Sequence, residues 1–502
     1  MSSERHESET LEAAGAAVAP IEEILHALRV VVPEHCILAR EEDRRPYECD
    51  GLSLYRQLPM LVVLPETEQQ VQGILRAARR LNVPVVTRGA GTGLSGGAMP
   101  HARGILLGMS KFNRIKQVDP IAATAVVEPG VRNLAVSQAV AQHGLYYAPD
   151  PSSQIACTIG GNIAENSGGV HCLKYGLTVH NVLKVRMVTL DGEVLELGSE
   201  APDAAGPDLL STFIGSEGML GVVTEVTLRL LPTPALAKVI MASFDDVETA
   251  GQAVAAVIAA GIIPAGLEMM DQRATEMVEP FVKAGYDVNA KAILLCESDG
   301  TEEEVAEEID RMSQVFQGVG ATRIQVSSSD QERMRFWAGR KNAFPAAGRV
   351  SPDYYCMDGT IPRRRLAQVL QAIEQMETTF GLRCANVFHA GDGNLHPLIL
   401  FDSNKPDEVD RAERFGAAIL ELCVEVGGTI TGEHGVGVEK INQMCVQFDR
   451  DELDSFLSVK RAFDPDGLLN PEKVIPTLAR CAEYGKMHVH GGQLPFADIP
   501  RF

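Results

Sequence analysis

Basic residues are scarce along this 502-residue chain, which has 45 Lys and Arg against 67 Asp and Glu and a net charge of −22. So acidic a protein repels nucleic acid and anionic membrane surfaces, and we expect neither as a partner. No apolar run reaches the length of a membrane-spanning helix, since Gly261 and Pro264 interrupt the nearest candidate at 253–267. The N-terminus lacks a basic start followed by an apolar stretch, so it does not predict a secretory signal.

The ten cysteines are scattered, with no Cys-x-x-Cys pair and no spacing typical of clustered thiolates. This argues against an iron–sulfur cluster held by the chain. It predicts reduced, mostly packed thiols in a cytoplasmic protein. Apolar residues make up 45% of the sequence, which is ample material for the cores of two or three folding units.

Glycine, by contrast, is concentrated in a few places. Residues 84–97 read Pro-Val-Val-Thr-Arg-Gly-Ala-Gly-Thr-Gly-Leu-Ser-Gly-Gly, a β-branched run followed by five glycines within nine residues. Glycine adopts positive φ without strain, so such a loop can turn several N–H groups toward one anion. The dinucleotide fingerprint also matches at 91–96, but a strand-like run at 105–109 follows instead of a helix, so a Rossmann domain is not expected. The segment predicts a phosphate-binding loop built from backbone amides rather than a surface turn.

Two further polar, glycine-rich segments lie between predicted strands, at 148–169 and 215–221. In the first, Ser, Thr, Asn and Gly alternate with few apolar residues, which suits a loop packed against a polar ligand. One extended ligand that spans several strand ends explains all three loops together.

The order of predicted elements divides the chain into four segments and indicates an α+β fold. Residues 1–55 form an N-terminal helical segment, and residues 56–232 contain strands and helices arranged as two small α+β subdomains. Beyond two prolines at 232 and 234, residues 233–440 begin with β-α-β twice over, the ferredoxin-like arrangement. Residues 441–502 form a C-terminal segment.

Two histidines lie at the ends of one tight loop, in Val-Phe-His-Ala-Gly-Asp-Gly-Asn-Leu-His-Pro-Leu at 387–398. His389 and His396 can approach a common ion, although a single such histidine is most often a hydrogen-bonded core residue. Glu433, in Thr-Gly-Glu-His-Gly-Val-Gly, would complete a two-histidine, one-carboxylate metal set. Its neighbour His434 would then point elsewhere and be free to act as a base.

Other interpretations stay open on these residues alone. Arg340, in a basic stretch at 335–349, either holds a carboxylate through two hydrogen bonds or forms a surface salt bridge. A metal-dependent hydrolase would use the same His-His-Glu set to activate water, but it leaves the glycine loops unexplained and predicts a colourless protein. A non-catalytic subunit that docks an iron–sulfur partner predicts that His434→Ala leaves the activity of the complex intact.

Together, these stretches resemble the flavoprotein superfamily typified by vanillyl-alcohol oxidase, and within it the FAD-linked 2-hydroxy-acid dehydrogenases. Within this group they are similar to the D subunits of bacterial glycolate oxidases. The resemblance covers nearly the whole chain and is carried by residues 84–97, 146–169, 215–226, 337–345, 351–362, 389–397, 432–440 and 463–471.

The resemblance implies a two-subdomain FAD-binding domain, a ferredoxin-like cap over the isoalloxazine and a C-terminal segment that returns to the FAD domain. We expect FAD to be bound without a covalent link, because the three loops offer many amides and hydroxyls and no Cys or His stands out as an attachment point; His101 is the only histidine near the first loop in sequence. The FAD diphosphate would lie in the loop of Arg88, Gly89, Ala90, Gly91, Thr92, Gly93, Leu94 and Ser95. The rest of the cofactor would contact Pro151, Ser152, Ser153, Thr158, Gly160, Gly161, Asn162, Gly218, Val222 and Asn470.

The resemblance also implies the chemistry. His389, His396 and Glu433 would bind a divalent metal (Zn, Fe or Mn), and His434 would take the proton from the substrate hydroxyl. Substrate contacts would come from Arg340, which would hold the carboxylate, and from Phe344 and Asn394. The expected reaction is FAD-dependent oxidation of a small 2-hydroxy acid, glycolate to glyoxylate and also D-lactate to pyruvate. The alternative is that D-lactate or another D-2-hydroxy acid is the main substrate.

One departure from the wider family concerns substrate size. Relatives that act on longer diacids carry a cap lysine where this chain has Cys356, and a hydroxyl where it has Phe344. A second carboxylate would lack its partners, so a monoacid is expected. The implied partners are an iron–sulfur subunit and a second FAD-type subunit, through which electrons would pass to a membrane acceptor. The implied location is the cytoplasm, peripheral to the inner membrane through those subunits.

Overall fold

The computed structural model describes residues 18–201 and 206–476. Parts of the predicted N-terminal segment (1–17) and C-terminal segment (477–502) therefore lie outside the described residues. Three main sheets and the helices packed on them confirm the predicted α+β class.

The first sheet has four strands and leads directly into the glycine loop. Its order is Ile37–Leu38, Leu61–Val63, Ile105–Gly108 and Val85–Arg88, and the last three strands are parallel. The sheet packs against helices Ile21–Val31 and Glu68–Arg80. Helix Glu68–Arg80 begins at Thr67, whose side chain accepts a hydrogen bond from the Gln70 backbone N–H, and it buries Val71, Ile74 and Leu75 at helical spacing.

The second sheet has five antiparallel strands, in the order Ile115–Asp119, Thr124–Val127, Val222–Arg229, Val182–Val188 and Val194–Gly198. Its apolar cluster includes residues of helices Asn133–Val140, Ile159–Glu165 and Leu209–Phe213. A two-stranded ribbon pairs Leu231–Pro232 with Leu145–Tyr146. Helix Ile159–Glu165 belongs to the second polar loop region predicted from the sequence.

The third sheet has seven antiparallel strands and is larger than the four-stranded ferredoxin-like core. Its order is Arg323–Val326, Leu236–Phe244, Ala292–Gly300, Gly266–Asp271, Arg383–Phe388, Pro397–Phe401 and Asp353–Cys356. Met269 pairs with Phe388, so His389 leaves its strand beside Gly266–Asp271. The helices of this segment are Val247–Ala259, Gln272–Val282, Glu302–Val319, Asp330–Lys341, Ala343–Val350, Leu366–Phe380 and Glu408–Glu425.

After helices Ile441–Gln447 and Arg450–Phe463, the chain returns to the first sheet. Leu469 forms a parallel bridge with Val85. The Val85 N–H donates to the Leu468 carbonyl and the Asn470 N–H donates to the Val85 carbonyl, both over 2.8 Å. The strand that precedes the glycine loop is thus flanked by residues from the far end of the chain.

Nine cysteines fall within the described residues. Eight of them are free thiols, and most of these are buried. Cys445 is disulfide-bonded, so the prediction that every thiol is reduced is wrong at that position. None of the helices in the described residues is both long and apolar enough to span a membrane.

Candidate active site

A cavity of about 400 Å³ lies where the three polar loops meet the seven-stranded domain. All three predicted ligand-binding regions reach its wall, as do residues of both metal-ligand segments. The predicted residues that line it are Gly89, Ala90, Gly91, Thr92, Gly93, Leu94, Pro151, Ser152, Ser153, Thr158, Gly160, Gly161, Asn162, Gly218, Phe344, His396, Glu433 and His434.

The glycine loop at 89–97 has the backbone that its composition predicts. Gly91 and Gly96 have φ of 70° and 74°, in the left-handed region that favours glycine. A Cβ at Gly89 would collide with the Thr158 hydroxyl, so the loop packs closely on the start of helix Ile159–Glu165. The Gly97 carbonyl accepts hydrogen bonds from Asn470 Nδ2 and Lys473 Nζ, at 3.0 and 3.1 Å, and so is held on the side of the C-terminal segment.

Polar atoms on the wall fit a ligand with many hydrogen-bonding groups. The hydroxyls of Thr87 and Thr158 are buried without a hydrogen-bond partner among residues 18–201 and 206–476, and both residues line the cavity. Buried hydroxyls of this kind are costly unless something else satisfies them. The glycine-rich backbone and these hydroxyls together suit the phosphates and sugar-like chain of a dinucleotide.

Four residues predicted to bind the cofactor do not line the cavity within the described structure. The Arg88 guanidinium packs beside Gly91 and donates from Nη1 to the Tyr47 and Cys49 carbonyls, at 3.4 and 2.6 Å. Ser95 and Val222 are fully buried. Asn470 uses its amide to donate to the Gly97 and Glu217 carbonyls. Arg88 and Asn470 therefore support the loop from behind.

His389, His396 and Glu433 converge as predicted, with one ligand atom from each within 4.8 Å of the others. Glu433 Oε1 lies 3.2 Å from Nε2 of His389 and 3.2 Å from Nε2 of His396. The second contact lacks hydrogen-bond geometry, so His396 Nε2 is buried without a partner among the described residues. An imidazole nitrogen of this kind, beside a second imidazole and a carboxylate, is a donor set that suits Zn²⁺, Fe²⁺ or Mn²⁺.

Glu268 contacts both His389 of this cluster and Arg340. Its Oε1 lies 2.7 Å from His389 Nδ1, and its Oε2 accepts a hydrogen bond of 2.6 Å from Arg340 Nε. Although burial opposes it, the Glu268 carboxylate raises the pKa of His389 to about 10. Burial lowers the pKa of His396 to about 4. A carboxylate on Nδ1 fixes the ring so that Nε2 faces Glu433, as outer partners of metal-binding histidines do.

His434 lines the cavity beside this cluster. Its ring stacks on His396 with 4.9 Å between ring centroids and an 8° angle between planes. Within the described residues, its buried Nδ1 has no hydrogen-bond partner. Burial lowers the pKa of His434 below its ordinary 6.5, partly offset by the Asp358 carboxylate. The imidazole is therefore neutral near pH 7 and can accept a proton.

Arg340 and Asn394 are buried and do not reach the wall of the cavity in the described structure. Arg340 Nε is occupied by Glu268, and Nη2 lies 3.4 Å from His389 Nε2. Nη1 has no partner among the described residues, and neither does Asn394 Oδ1. This arrangement excludes a surface salt bridge for Arg340 and leaves Nη1 as the group that can meet a carboxylate.

Several residues that line the site were not among those predicted from the sequence. Lys341 and Tyr354 lie on the wall near Phe344, and Glu165 and Glu217 lie on it between the loops. Lys341 was within the basic stretch already noted, and Glu165 within the second polar loop. No motif pointed to Glu268 or Asp358, because each contacts a site residue that is distant in sequence, His389 and His434 respectively.

The family described as FAD linked oxidases, C-terminal domain, matches residues 233–474, and the family described as FAD binding domain matches residues 59–198. The chain therefore belongs to the FAD-linked oxidases and is an FAD-dependent oxidoreductase. The resemblance drawn from the sequence motifs is confirmed.

Relatives are similar over nearly their whole length. The glycolate oxidase subunit GlcD of Escherichia coli K12 is 64% identical over 479 residues, which cover 95% of this chain and 96% of that protein. GlcD of Bacillus subtilis is 38% identical over 87% of this chain and 93% of that protein. A D-lactate dehydrogenase of Archaeoglobus fulgidus is 31% identical over 83% of this chain and 92% of that protein.

Among solved structures, substrate-bound p-cresol methylhydroxylase superposes with a TM-score of 0.76 at 18% identity, covering 91% of this chain and 98% of that one. A 4-ethylphenol oxidase from Gulosibacter chungangensis gives 0.76 at 18% identity, covering 91% and 97%. At this identity the likeness concerns the fold, and it confirms the predicted vanillyl-alcohol oxidase type.

Proposed function

We propose that this protein oxidises glycolate to glyoxylate with FAD as the electron acceptor. The observation that carries the proposal is the position of His434, a neutral buried imidazole on the cavity wall, next to the His389–His396–Glu433 cluster. The 64% identity to a protein named as a glycolate oxidase subunit supports the choice of substrate.

In this proposal His434 is the base. Its Nδ1, which has no hydrogen-bond partner among the described residues, accepts the proton of the substrate hydroxyl. FAD held by the glycine loops would supply the acceptor for the hydride of the neighbouring carbon. His389, His396 and Glu433 would hold one divalent metal, which supplies Lewis-acid polarisation of that hydroxyl. Arg340 Nη1 has no hydrogen-bond partner among the described residues and is available for the substrate carboxylate. Asn394 Oδ1 also has no partner there and is available to accept a hydrogen bond from the substrate. Phe344 closes the apolar side of the cavity.

We propose further that FAD is held without a covalent bond. His101 and Cys49 lie nearest the first loop in sequence, but neither lines the cavity in the described structure. His171 and Cys172 follow the second loop and are likewise off the wall. Cys157 does line the cavity, but burial raises the pKa of its thiol and so disfavours the thiolate that attack on a flavin requires. Acid precipitation of the purified protein should leave all the flavin in the supernatant, and flavin in the pellet would contradict a non-covalent site.

The iron–sulfur subunit and the second FAD-type subunit remain proposed partners. Two relatives are named as subunits of glycolate oxidase, which supports assembly into a complex. The scattered cysteines offer no thiolate cluster of the chain's own, so electrons from the flavin would leave through another subunit. Peripheral attachment to the inner membrane would follow from such partners.

The test is anaerobic mixing of the purified flavoprotein with glycolate or D-lactate, followed by loss of the flavin's visible absorbance. We expect rapid bleaching with glycolate and none in His434→Ala carrying a full complement of FAD. Faster bleaching by D-lactate would instead favour the D-lactate dehydrogenase activity named for relatives of 28–31% identity. Full activity of His434→Ala would exclude this residue as the base.

A further inference from the structure

Glu165 is an acidic residue inside a cavity that must accept an anionic cofactor. It ends helix Ile159–Glu165 and lines the wall. Its carboxyl group lies between the glycine loop and the segment that follows His434. A Cβ at Gly97 would be 2.9 Å from Oε1, and a Cβ at Gly435 would collide with Oε2. Oε2 is buried with no hydrogen-bond partner in the described part of the chain.

The neighbouring carboxylate, Glu217, has a different environment. Its two oxygens accept hydrogen bonds of 2.7 Å from the backbone N–H groups of Val436 and Gly437. Two N–H donors stabilise the charged form of Glu217, whereas Oε2 of Glu165 has no donor within residues 18–201 and 206–476. Two buried carboxylates this close cannot both be charged, so the proton of the pair belongs on Glu165.

The charges around Glu165 act in the same sense. Burial, then the charge of Glu217, raises the pKa of Glu165 well above its ordinary value. Asp50 and Asp358 add to this effect, and Lys440 opposes it. Burial raises the pKa of Glu217 as well, but the two N–H donors and the lysines at 440 and 473 lower it.

The proposed function places the flavin ring at this end of the cavity. Substrate, base and ring must meet at one point, and His434 is separated from Gly435 by one peptide bond. Glu165 reaches both regions: its Oε1 would be 3.9 Å from a Cβ at Gly93 in the glycine loop, whereas its Oε2 would collide with a Cβ at Gly435. Oε2 therefore lies on the side of the base, and it is the oxygen of Glu165 that can meet the ring system.

We propose that Glu165 is a carboxylic acid that donates a hydrogen bond to the ring system of the bound flavin, and that Glu217 keeps it in the acid form. This inference rests on the proposed function for the location of the ring. A neutral donor favours the ring more strongly after reduction, when the ring carries more negative charge. Glu165 therefore raises the reduction potential of the flavin, a role that protein hydrogen bonds to flavins can have.

The experiment is an anaerobic redox titration of the flavin in the purified holoprotein against reference dyes. Glu165→Gln keeps an N–H donor, and we expect its potential to equal that of the wild type. Glu165→Ala should lower the potential by about 30 mV, equivalent to a tenfold weaker preference for reduced flavin. An unchanged potential in Glu165→Ala, or equal shifts in Ala and Gln variants, would overturn the proposal.

Glu217→Gln supplies a second, independent measurement. Without the neighbouring charge, Glu165 should ionise nearer to its ordinary pKa, so the potential should fall more steeply with rising pH than in the wild type. Identical pH slopes would overturn the role given to Glu217. If Glu165→Ala does not retain flavin, the FAD dissociation constants of the other proteins provide the test. Equal FAD affinity in Glu165→Gln and the wild type supports the proposal, and an affinity at least tenfold lower in Glu165→Gln overturns it.

Failure of this inference is distinguishable from failure of the proposed function. The dye titration uses a chemical reductant and needs no substrate. A wild-type protein that glycolate does not bleach would contradict the proposed function, whereas the variants' potentials report on Glu165 alone.

Discussion

The carboxylate of Asp358 accepts a hydrogen bond of 2.7 Å from the backbone N–H of His434. The same oxygen, Oδ2, accepts from the N–H groups of Gly432 and Glu433, and Oδ1 is paired with Lys440 Nζ. Burial opposes the charge, but chiefly Lys440 lowers the pKa of Asp358 to about 2. One buried carboxylate thus fixes the loop that carries both a proposed metal ligand and the proposed base.

Asp358→Asn should therefore damage stability and activity together. The variant removes the charged partner of buried Lys440, and breaking such a pair typically costs about 3–5 kcal/mol. Lys440 Nζ keeps its hydrogen bond to the Gly435 carbonyl and lies 3.6 Å from Glu439 Oε2, so we expect the lower end of that range. We expect that loss in urea unfolding and a fall in kcat/KM of at least about tenfold. The double variant Asp358→Asn with Lys440→Met should recover stability but not activity, because the loop is still unheld. Equal recovery of both would show that Asp358 has no positioning role.

The His389–His396–Glu433 cluster should hold one divalent cation that turnover requires. Replacing any of the three by Ala should remove metal and activity while leaving FAD bound, because the glycine loop and the hydroxyls belong to other segments. Metal content is measured by elemental analysis and FAD by absorbance. His26→Ala, on an exposed position, is the control. An active preparation without stoichiometric metal would refute the prediction.

Glycolate or D-lactate should reduce the flavin at least about tenfold faster than D-2-hydroxyglutarate, since an unpaired carboxylate is costly to bury. Phe344 lines the cavity without a polar group, and Cys356 is buried off its wall. Lys341 is on the wall but exposed, and exposed ion pairs contribute only about 0–1 kcal/mol. Phe344→Thr should reduce the difference between the rates of flavin reduction by monoacids and by D-2-hydroxyglutarate. Similar rates of flavin reduction by monoacid and diacid in the wild type would contradict the predicted selectivity.

His171 connects the FAD-binding domain with the seven-stranded domain through ion pairs with Asp150 and Glu297. Its Nδ1 lies 2.8 Å from Asp150, beside the second polar loop, and its Nε2 lies 3.1 Å from Glu297 in the seven-stranded sheet. Burial works against the charge, but Asp150 and Glu297 outweigh it and raise the pKa of His171 well above 6.5. The cluster's stabilisation is fully present below the unfolded-state pKa and is lost as pH rises through the raised folded-state pKa.

His171→Gln should consequently lower the free energy of unfolding most at about pH 6, with a deficit that shrinks at alkaline pH. Urea unfolding over a pH series measures this deficit. The exposed His143→Gln is the matched control and should show no such trend. A deficit independent of pH would mean that the His171 ring contributes packing and not charge.

Lys473→Met should weaken FAD binding by at least about tenfold while leaving the metal in place. Lys473 Nζ donates to the Gly97 and Met99 carbonyls and to Asn470 Oδ1, at 3.1, 2.5 and 2.6 Å. Methionine keeps the bulk but leaves two loop carbonyls without their donor, so the loop amides are no longer fixed. Fluorescence titration of apoprotein with FAD gives the affinity, with exposed Lys405→Met as control. Unchanged affinity would rule out this support.

The parts of the site that were predictable depend on local geometry. Glycines at 89–97 predict a backbone-lined loop whatever surrounds it, and the turn between His389 and His396 leaves their ring centroids 5.0 Å apart. The meeting with Glu433 required the family resemblance, because nothing near residue 433 encodes that contact.

The parts that were missed depend on strand register and on long-range packing. Glu268 reaches His389 only because Met269 pairs with Phe388, a register that no local pattern specifies. Arg88 was expected in the cofactor-binding loop, and no local pattern specifies that its guanidinium donates to the carbonyls of Tyr47 and Cys49. Residues with a conspicuous position in a motif can therefore act behind the ligand wall instead of on it.

The hydrogen bond from Asn470 to Gly97 joins residues 373 positions apart. During synthesis, the glycine loop leaves the ribosome long before the segment that holds its carbonyls exists. Domains generally fold from the N-terminus as they emerge, so the first two sheets can form early while the cofactor site stays incomplete. We therefore expect FAD to bind tightly only after Asn470 and Lys473 have been synthesised, and a product that ends ahead of them should hold FAD weakly.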